Sequence, residues 1–397
     1  MTQKRERTAY LSRTDIEREL ASFNVNHLLK SNGYQNKPLS FEQAYLLGVF
    51  TLATHHQELT PFLHMDTKTA VIQSVAALCS FHNRALYERE GSAAQIAGIC
   101  AAVFDYDIGI SVNGFLHPDV NEVMDNCGMG GDLYRTPNLS TIAALIAAAD
   151  GINMLKHGSP GNTDNTGSSD FLRHCNVNQF AAKETVEKAM SDTHFGYTDA
   201  LDERYKLVHT QTHRIARLAH MNDIIGPITN PVLPRYMSRR VVGVNHLIPP
   251  ERVAEAYGIL NERGITHLER GLFIRGFAKK DRNGGIDEVG LMEGGTIVAE
   301  LHDNKIELYD LFAKDFNLSE MTPHDLDPGE KKAETSRLIV AGEIKDKRRD
   351  AALANAAILF YVAKDIPLPE GVERARHLLE SGKPYETLLR YAVLSQR

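Results

Sequence analysis

The sequence predicts an α/β protein in which a small all-helical domain is joined to a larger α/β domain with a mainly parallel central sheet covered by helices. Three observations carry this expectation. Apolar residues recur at three- and four-residue spacing through the first third of the chain. Beyond about Asp125, short apolar runs alternate with helical patterns, the signature of parallel strands with helical crossovers. The 397 residues also exceed the roughly 250–300 at which one hydrophobic core stops growing, so two domains are expected.

Residues 1–37 are rich in charge, contain the turn-like SNGYQNKP, and read as an N-terminal extension. The helical domain is expected over 38–120. It runs from FEQAYLLGVFTLATHH through DTKTAVIQSVAALCSFHNRALYERE to GSAAQIAGICAAVF, with a further helical contribution from about 180–215. The α/β domain takes 121–179 and 216–397. Ser140 to Asp150 is helical by the spacing of Ile142, Leu145, Ile146 and Ala149, and Gly151 is well placed to stop it. INMLK then reads as a buried strand. RRVVGVN, the helix PPERVAEAYGILNERG and the strand GLFIRG repeat the alternation. Within DEVGLMEGGTIVAELHDNKIELYDL, the turn signals EGG and HDN separate alternating segments and predict an antiparallel excursion at the sheet edge. RRDAALANAAILFYVA and GVERARHLLESG close the chain as helices.

Composition narrows the function. With 43% hydrophobic and 24% charged residues the chain is an ordinary globular protein. No uninterrupted apolar run reaches about 18 residues, so no membrane-spanning segment is expected. The start has no apolar segment behind its basic residues and does not read as a secretory signal. Cys79, Cys100, Cys127 and Cys175 are far apart and form no C-x-x-C pair, which suits a reducing compartment and predicts a cytoplasmic protein. A net charge of −7 fits poorly with a duplex-binding surface, so nucleic acid is an unlikely partner.

The stretch CGMGGDLYRTPNLST, Cys127 to Thr141, carries the strongest chemistry. Gly128, Gly130 and Gly131 let backbone N–H groups approach a ligand, and the helix that follows offers unpaired donors and a partial positive charge to a phosphate. Asn138 and Ser140 are good N-cap residues, and the hydroxyls of Ser140 and Thr141 can meet phosphate oxygens or, for Ser140, a hard cation. Taken alone, the run also suits a glycine turn with an ordinary cap. KHGSPGNTDNTGSSD, Lys156 to Asp170, is a second polar loop after a strand. IGPITNP reads as a rigid turn, and GGIDEVGL sets Asp287 beside Glu288 before a strand, a pair able to hold Mg²⁺ against a diphosphate. In KLVHTQTHRIARLAH, the spacing of His209, His213 and His220 is compatible with zinc. The glutamate of H-E-x-x-H is missing, which favours a polar helix face lining an acceptor site.

In this combination and order, GxGGD, NxST, KHG, GPxTNP and DE resemble the anthranilate phosphoribosyltransferases, relatives of the nucleoside phosphorylases, over roughly residues 38–395. The resemblance implies Mg²⁺-dependent transfer of the 5-phosphoribosyl group from 5-phosphoribosyl-1-diphosphate (PRPP) to an aromatic amine, with pyrophosphate leaving. Anthranilate, and hence tryptophan biosynthesis, leads. It implies a homodimer formed through the helical domain. Carried over position by position, Gly128, Gly130, Gly131, Asp132, Asn138, Ser140, Thr141, Lys156, His157 and Gly158 would bind PRPP. Ser140, Asp287 and Glu288 would bind the metal, and His157, Ser159, His213 and Arg214 the acceptor. No covalent nucleophile is implied.

The chain departs from the family pattern where Lys-His-Gly-Asn-Arg becomes KHG with Ser159 and Pro160. Asp164 and Asn165 stand where the family has Ser and Lys, and Met129 replaces a Thr. The arginine that pairs with the anthranilate carboxylate falls in register with His213, and Arg214 is adjacent. Two alternatives accompany the main reading. One is a phosphoribosyltransferase or nucleoside phosphorylase with another nitrogen acceptor; the other is a nonenzymatic nucleotide- or nucleic-acid-binding relative.

Overall fold

The structure, a computed structural model, describes residues 9–161 and 166–397; Asp164 and Asn165 lie outside the described residues. Two units are present. One takes in the chain up to Phe115 together with Ala200–Pro231 and Leu247–Thr266. The other comprises Leu116–Asp199, Val232–His246 and His267–Arg397.

In the helical unit, the helix Phe41–Ala53 starts in a capping box between Ser40 and Gln43, which satisfies two of the orphan donors at its N-terminus. It lies against Ser92–Tyr106. At Gly98 a side chain would collide with the Phe41 carbonyl, so the glycine permits the close approach. One segment, Ser92–Ile110, is long and apolar enough to cross a membrane, which the sequence reading did not anticipate. It is 83% buried inside the protein, and its apolar character is that of a core helix. Residues expected as an extension are part of this unit. The helices Arg13–Ser22 and Val25–Ser31 bury Ile16, Leu20 and Leu28, and the Tyr10 amide donates to Asp105 Oδ2 at 2.8 Å. Asp107, at the end of the long core helix, accepts from the Leu207 and Val208 amides at 2.7 and 2.8 Å and bonds His56 Nε2 at 3.0 Å. Those bonds anchor the segment that follows, a π-helical turn over Thr210–Ala216. The expected rigid turn IGPITNP is instead the end of the helix Asn222–Ile228, with Pro227 one residue before its last. The buried Lys206 ammonium takes over carbonyls there, donating to Gly226 O at 3.2 Å and Thr229 O at 2.8 Å.

The α/β unit is built on seven strands: β1 Val123–Gly128, β2 Met154–Gly158, β3 Phe195–Asp199, β4 Met237–Gly243, β5 Arg270–Gly276, β6 Thr296–His302 and β7 Lys305–Leu311. Their order is β3-β2-β1-β4-β5-β6-β7. The first five run parallel, and β6 and β7 form the antiparallel excursion. The HDN signal is the β6–β7 turn: Asp303 and Asn304 have φ of 51° and 60°, the left-handed pair that a two-residue hairpin needs. The stretch DEVGL is not a strand; only Ile286 bridges, to Gly276.

β3 and the helix Lys183–Thr193 occupy part of the region expected to be helical and to join the helical domain. Phe195 and Tyr197 are buried, and β3 pairs with β2 along its length, so sheet pairing overrides the local helical pattern. Conversely, Pro250–Glu262 falls in the helical unit rather than in the α/β domain. Its Tyr257 hydroxyl donates to Ile228 O, and Arg263 just beyond it lies 3.8 Å from the Phe41 ring centre.

Candidate functional site

The site grows from the C-terminal ends of β1 and β4, where open α/β sheets place their ligands. β1 carries two polar residues in a strand buried on both faces. Asp125 pairs with Arg240, its register partner on β4, and also accepts the His157 amide at 3.0 Å. Breaking a buried pair of this kind leaves an uncompensated charge, which is why both partners must be present together. Asn126 donates from Nδ2 to Ser140 O at 2.8 Å, and its own carbonyl accepts from Lys156 Nζ at 2.7 Å. The strand therefore fixes Ser140, Lys156 and His157 from below.

Beyond Gly128 the loop turns through Gly130 and Gly131, with φ of 71° and 80°. It closes on the segment before β6. The Gly130 amide donates to Asp287 Oδ2 at 2.6 Å, the Asp287 amide to Asp132 Oδ1 at 2.7 Å, and the Leu133 amide to Gly285 O at 3.1 Å. Gly128 and Gly243 are register partners, and a Cβ on either would overlap Asp287: its carboxylate from Gly128, its backbone carbonyl from Gly243. Both glycines are thus the seat of the acidic residue. The second, Gly243, was not among the expected site residues.

Asp132, Asp287 and Glu288 present carboxylate oxygens within 4.8 Å of one another. Burial first, then the neighbouring carboxylates, pushes the Asp132 carboxyl well above its usual range, and the same two causes raise Glu288 to about 8. Glu288 Oε1 accepts the Ser140 amide at 3.0 Å, while Oε2 is buried without a partner among the described residues, as are Thr141 Oγ1 and Asn126 Oδ1. Such unpaired oxygens among crowded carboxylates suit a hard divalent cation. Lys156, 1% exposed, also donates to Ser140 Oγ at 3.3 Å, and burial pulls its ammonium pKa down.

The helix Leu139–Ala149 starts at Asn138, but Asn138 does not cap it with its side chain as expected. Its Nδ2 donates to Thr166 O and its Oδ1 accepts from Ser336 Oγ, so the residue ties the helix start to two other segments. On the KHG loop, His157 Nδ1 bonds Thr198 Oγ1 at 2.8 Å, and Gly158 leaves room for Ser168 and the Tyr197 hydroxyl. Asp170 accepts from Gly161 and Gly167 at 2.8 and 3.0 Å and so joins the two sides of the loop beyond Ser159 and Pro160. Met129 is buried. Of the expected acceptor residues, His157 and Ser159 belong to this unit and His213 and Arg214 to the helical one; Arg214 is paired with Glu203 at 2.5 Å.

The comparisons with known proteins place the chain among the glycosyltransferases. The family described as glycosyl transferase family, a/b domain, matches residues 120–385. A relative from Shewanella amazonensis named anthranilate phosphoribosyltransferase is 30% identical over 95% of this chain and 99% of its own. One of the same name from Haloarcula marismortui is 32% identical over 69% of this chain and 78% of its own. The crystal structure of anthranilate phosphoribosyltransferase from Thermus thermophilus superposes with a TM-score of 0.72 at 26% identity, over 92% of this chain and 99% of that one. The enzyme of that name from Saccharomyces cerevisiae, in complex with PRPP and Mg, shares the fold at 20% identity, TM-score 0.69, over 97% and 99% of the two chains. The chain belongs to the anthranilate phosphoribosyltransferase family.

Proposed function

We propose that the protein transfers the 5-phosphoribosyl group of PRPP to an aromatic amine, anthranilate first among candidates, and releases pyrophosphate with Mg²⁺ as cofactor. The observation that carries this reading is the convergence of Asp132, Asp287 and Glu288 beneath the glycine loop, with Glu288 Oε2 buried and unpartnered. Asp287, Glu288 and Ser140 would hold the cation, which when bound neutralises the leaving diphosphate. The same relatives' names, and the PRPP and Mg carried by the yeast enzyme, support the assignment.

The chain's own residues would bind and orient. Gly128, Gly130, Gly131 and Asp132 shape the diphosphate loop; Asn138, Ser140 and Thr141 take the phosphoribosyl part at the helix start. Lys156 spends two of its three N–H donors on Asn126 O and Ser140 Oγ, which fixes its position and leaves a third for a phosphate oxygen. His157 and Gly158 complete that wall. The rate would come from positioning and charge stabilisation, with no covalent intermediate on the protein. A cytoplasmic homodimer associating through the helical unit belongs to the same reading.

The Arg214–Glu203 ion pair, together with Ser159 and Pro160 in place of the family's Asn and Arg, favours a second reading in which another nitrogen compound is the acceptor. One assay separates them. Loss of anthranilate fluorescence with PRPP and Mg²⁺ is the expected result; pyrophosphate release only with other aromatic amines would support the second reading, and no PRPP binding would refute both.

A further inference from the structure

Within the helical unit the segment His209–Asp223 gathers imidazoles that the proposed reaction leaves largely unused. The rings of His209, His213 and His220 stand 6.1, 6.4 and 6.5 Å apart, a near-equilateral triangle. His220 is fully buried, and its Nε2 has no hydrogen-bond partner among the described residues. Asp223 Oδ1 lies 3.6 Å from that nitrogen, too long for a hydrogen bond and suited to two groups flanking one ion. A ring nitrogen of His213, one of His220 and a carboxylate oxygen of Asp223 all lie within 4.8 Å of one another. The π-helical turn contributes as well. Its wider winding over Thr210–Ala216 carries His213, and such turns are frequent at functional sites.

We propose that His213, His220 and Asp223 bind a borderline transition-metal dication of the Zn²⁺ or Co²⁺ type. Two imidazoles and one carboxylate form the donor set of open zinc sites, in which a fourth position takes water or a small carboxylate ligand. A neutral imidazole has a lone pair to give at the nitrogen that carries no proton. His220 Nδ1 accepts the Asn222 amide at 3.1 Å. Metal loading at Nε2 therefore moves the ring proton to Nδ1, where it faces the Asn222 N–H, and coordination has to offset both the lost bond and that contact. His209, whose two nitrogens are both buried and unpartnered, lines the site with its ring against Gly226. His213 is also an expected acceptor-side residue of the proposed reaction, so the test below reads metal binding and not turnover.

The test titrates Co²⁺ into the chelator-treated full chain under saturating Mg²⁺ and follows the visible d–d absorption, then displaces the ion with Zn²⁺. One equivalent of four-coordinate Co²⁺ is expected. Binding should weaken at least tenfold in both His213→Gln and Asp223→Asn and persist in the Asp287→Asn/Glu288→Gln double variant. Absence of Co²⁺ binding would overturn the proposal. So would binding that both single variants retain, or that only the double variant loses. A second readout needs no substitution: Zn²⁺ should shift the side-chain nitrogen resonances of two histidines in the unaltered protein, and unshifted histidines would equally refute it.

Discussion

The carboxylate loop above β1 and β4 and the histidine segment of the helical unit are both crowded with groups able to hold a metal, yet they are built in opposite ways. Around Asp287 the backbone is closed: Gly130, Asp132, Gly128 and Gly243 each meet it, and what is left over is crowded carboxylate oxygen. Around His220 imidazoles outnumber the single carboxylate of Asp223, and what is left over is nitrogen without a partner among the described residues. The first arrangement suits a hard ion and its phosphate ligand, the second a softer one. Preorganisation beside rigid strand ends suits the first to the chemistry proposed for it.

The largest expected effect breaks the acidic side. Asp287→Asn with Glu288→Gln should lower turnover by at least ~10³-fold while leaving the circular dichroism spectrum intact, since the change removes repulsion from the fold. A smaller effect appears in the pH dependence of the metal-free chain. The carboxyls of Asp132 and Glu288 are raised in the fold, so between Glu288's ordinary 4.5 and its folded value of about 8 the folded chain holds more protons than the unfolded one. Stability should fall as the pH rises through that window. The melting temperature should flatten in Glu288→Gln and on adding Mg²⁺; a metal-free midpoint that rises with pH would contradict the assigned cause.

Two glycine seats sharpen the comparison further. A Cβ at Gly243 would strike the backbone carbonyl of Asp287, whereas one at Gly226 would strike the His209 ring, the end of a side chain that can turn away. Gly243→Ala should therefore cost ~1–3 kcal/mol in chemical denaturation and most of the activity, and Gly226→Ala ~1 kcal/mol or less. The reverse order would mean that the Asp287 segment is the looser of the two.

The sequence made the first region legible and the second only in outline. Glycines, hydroxyls and paired acids are informative because few other folds need them together at a strand end, so CGMGGD, NLST, KHG and the Asp287–Glu288 pair all fall at one sheet edge. Gly243 escaped notice because RRVVGVN reads as a complete strand by its apolar run, and the carbonyl that demands the glycine comes from 44 positions later. β3 was missed because FGYTD is short and lacks an alternating pattern; its burial on both faces follows from pairing with β2. The histidine spacing was visible, but Asp223, three positions after His220, was not read together with it.

The central claim, a metal-dependent PRPP site at Asp287 and Glu288, is tested most directly by measuring pyrophosphate release from PRPP as Mg²⁺ is raised from chelated to saturating levels, with anthranilate present. The account predicts saturable Mg²⁺ dependence in the unaltered chain and its loss in the Asp287→Asn/Glu288→Gln variant. Release that is equal with and without Mg²⁺, or undiminished in that variant, would contradict it.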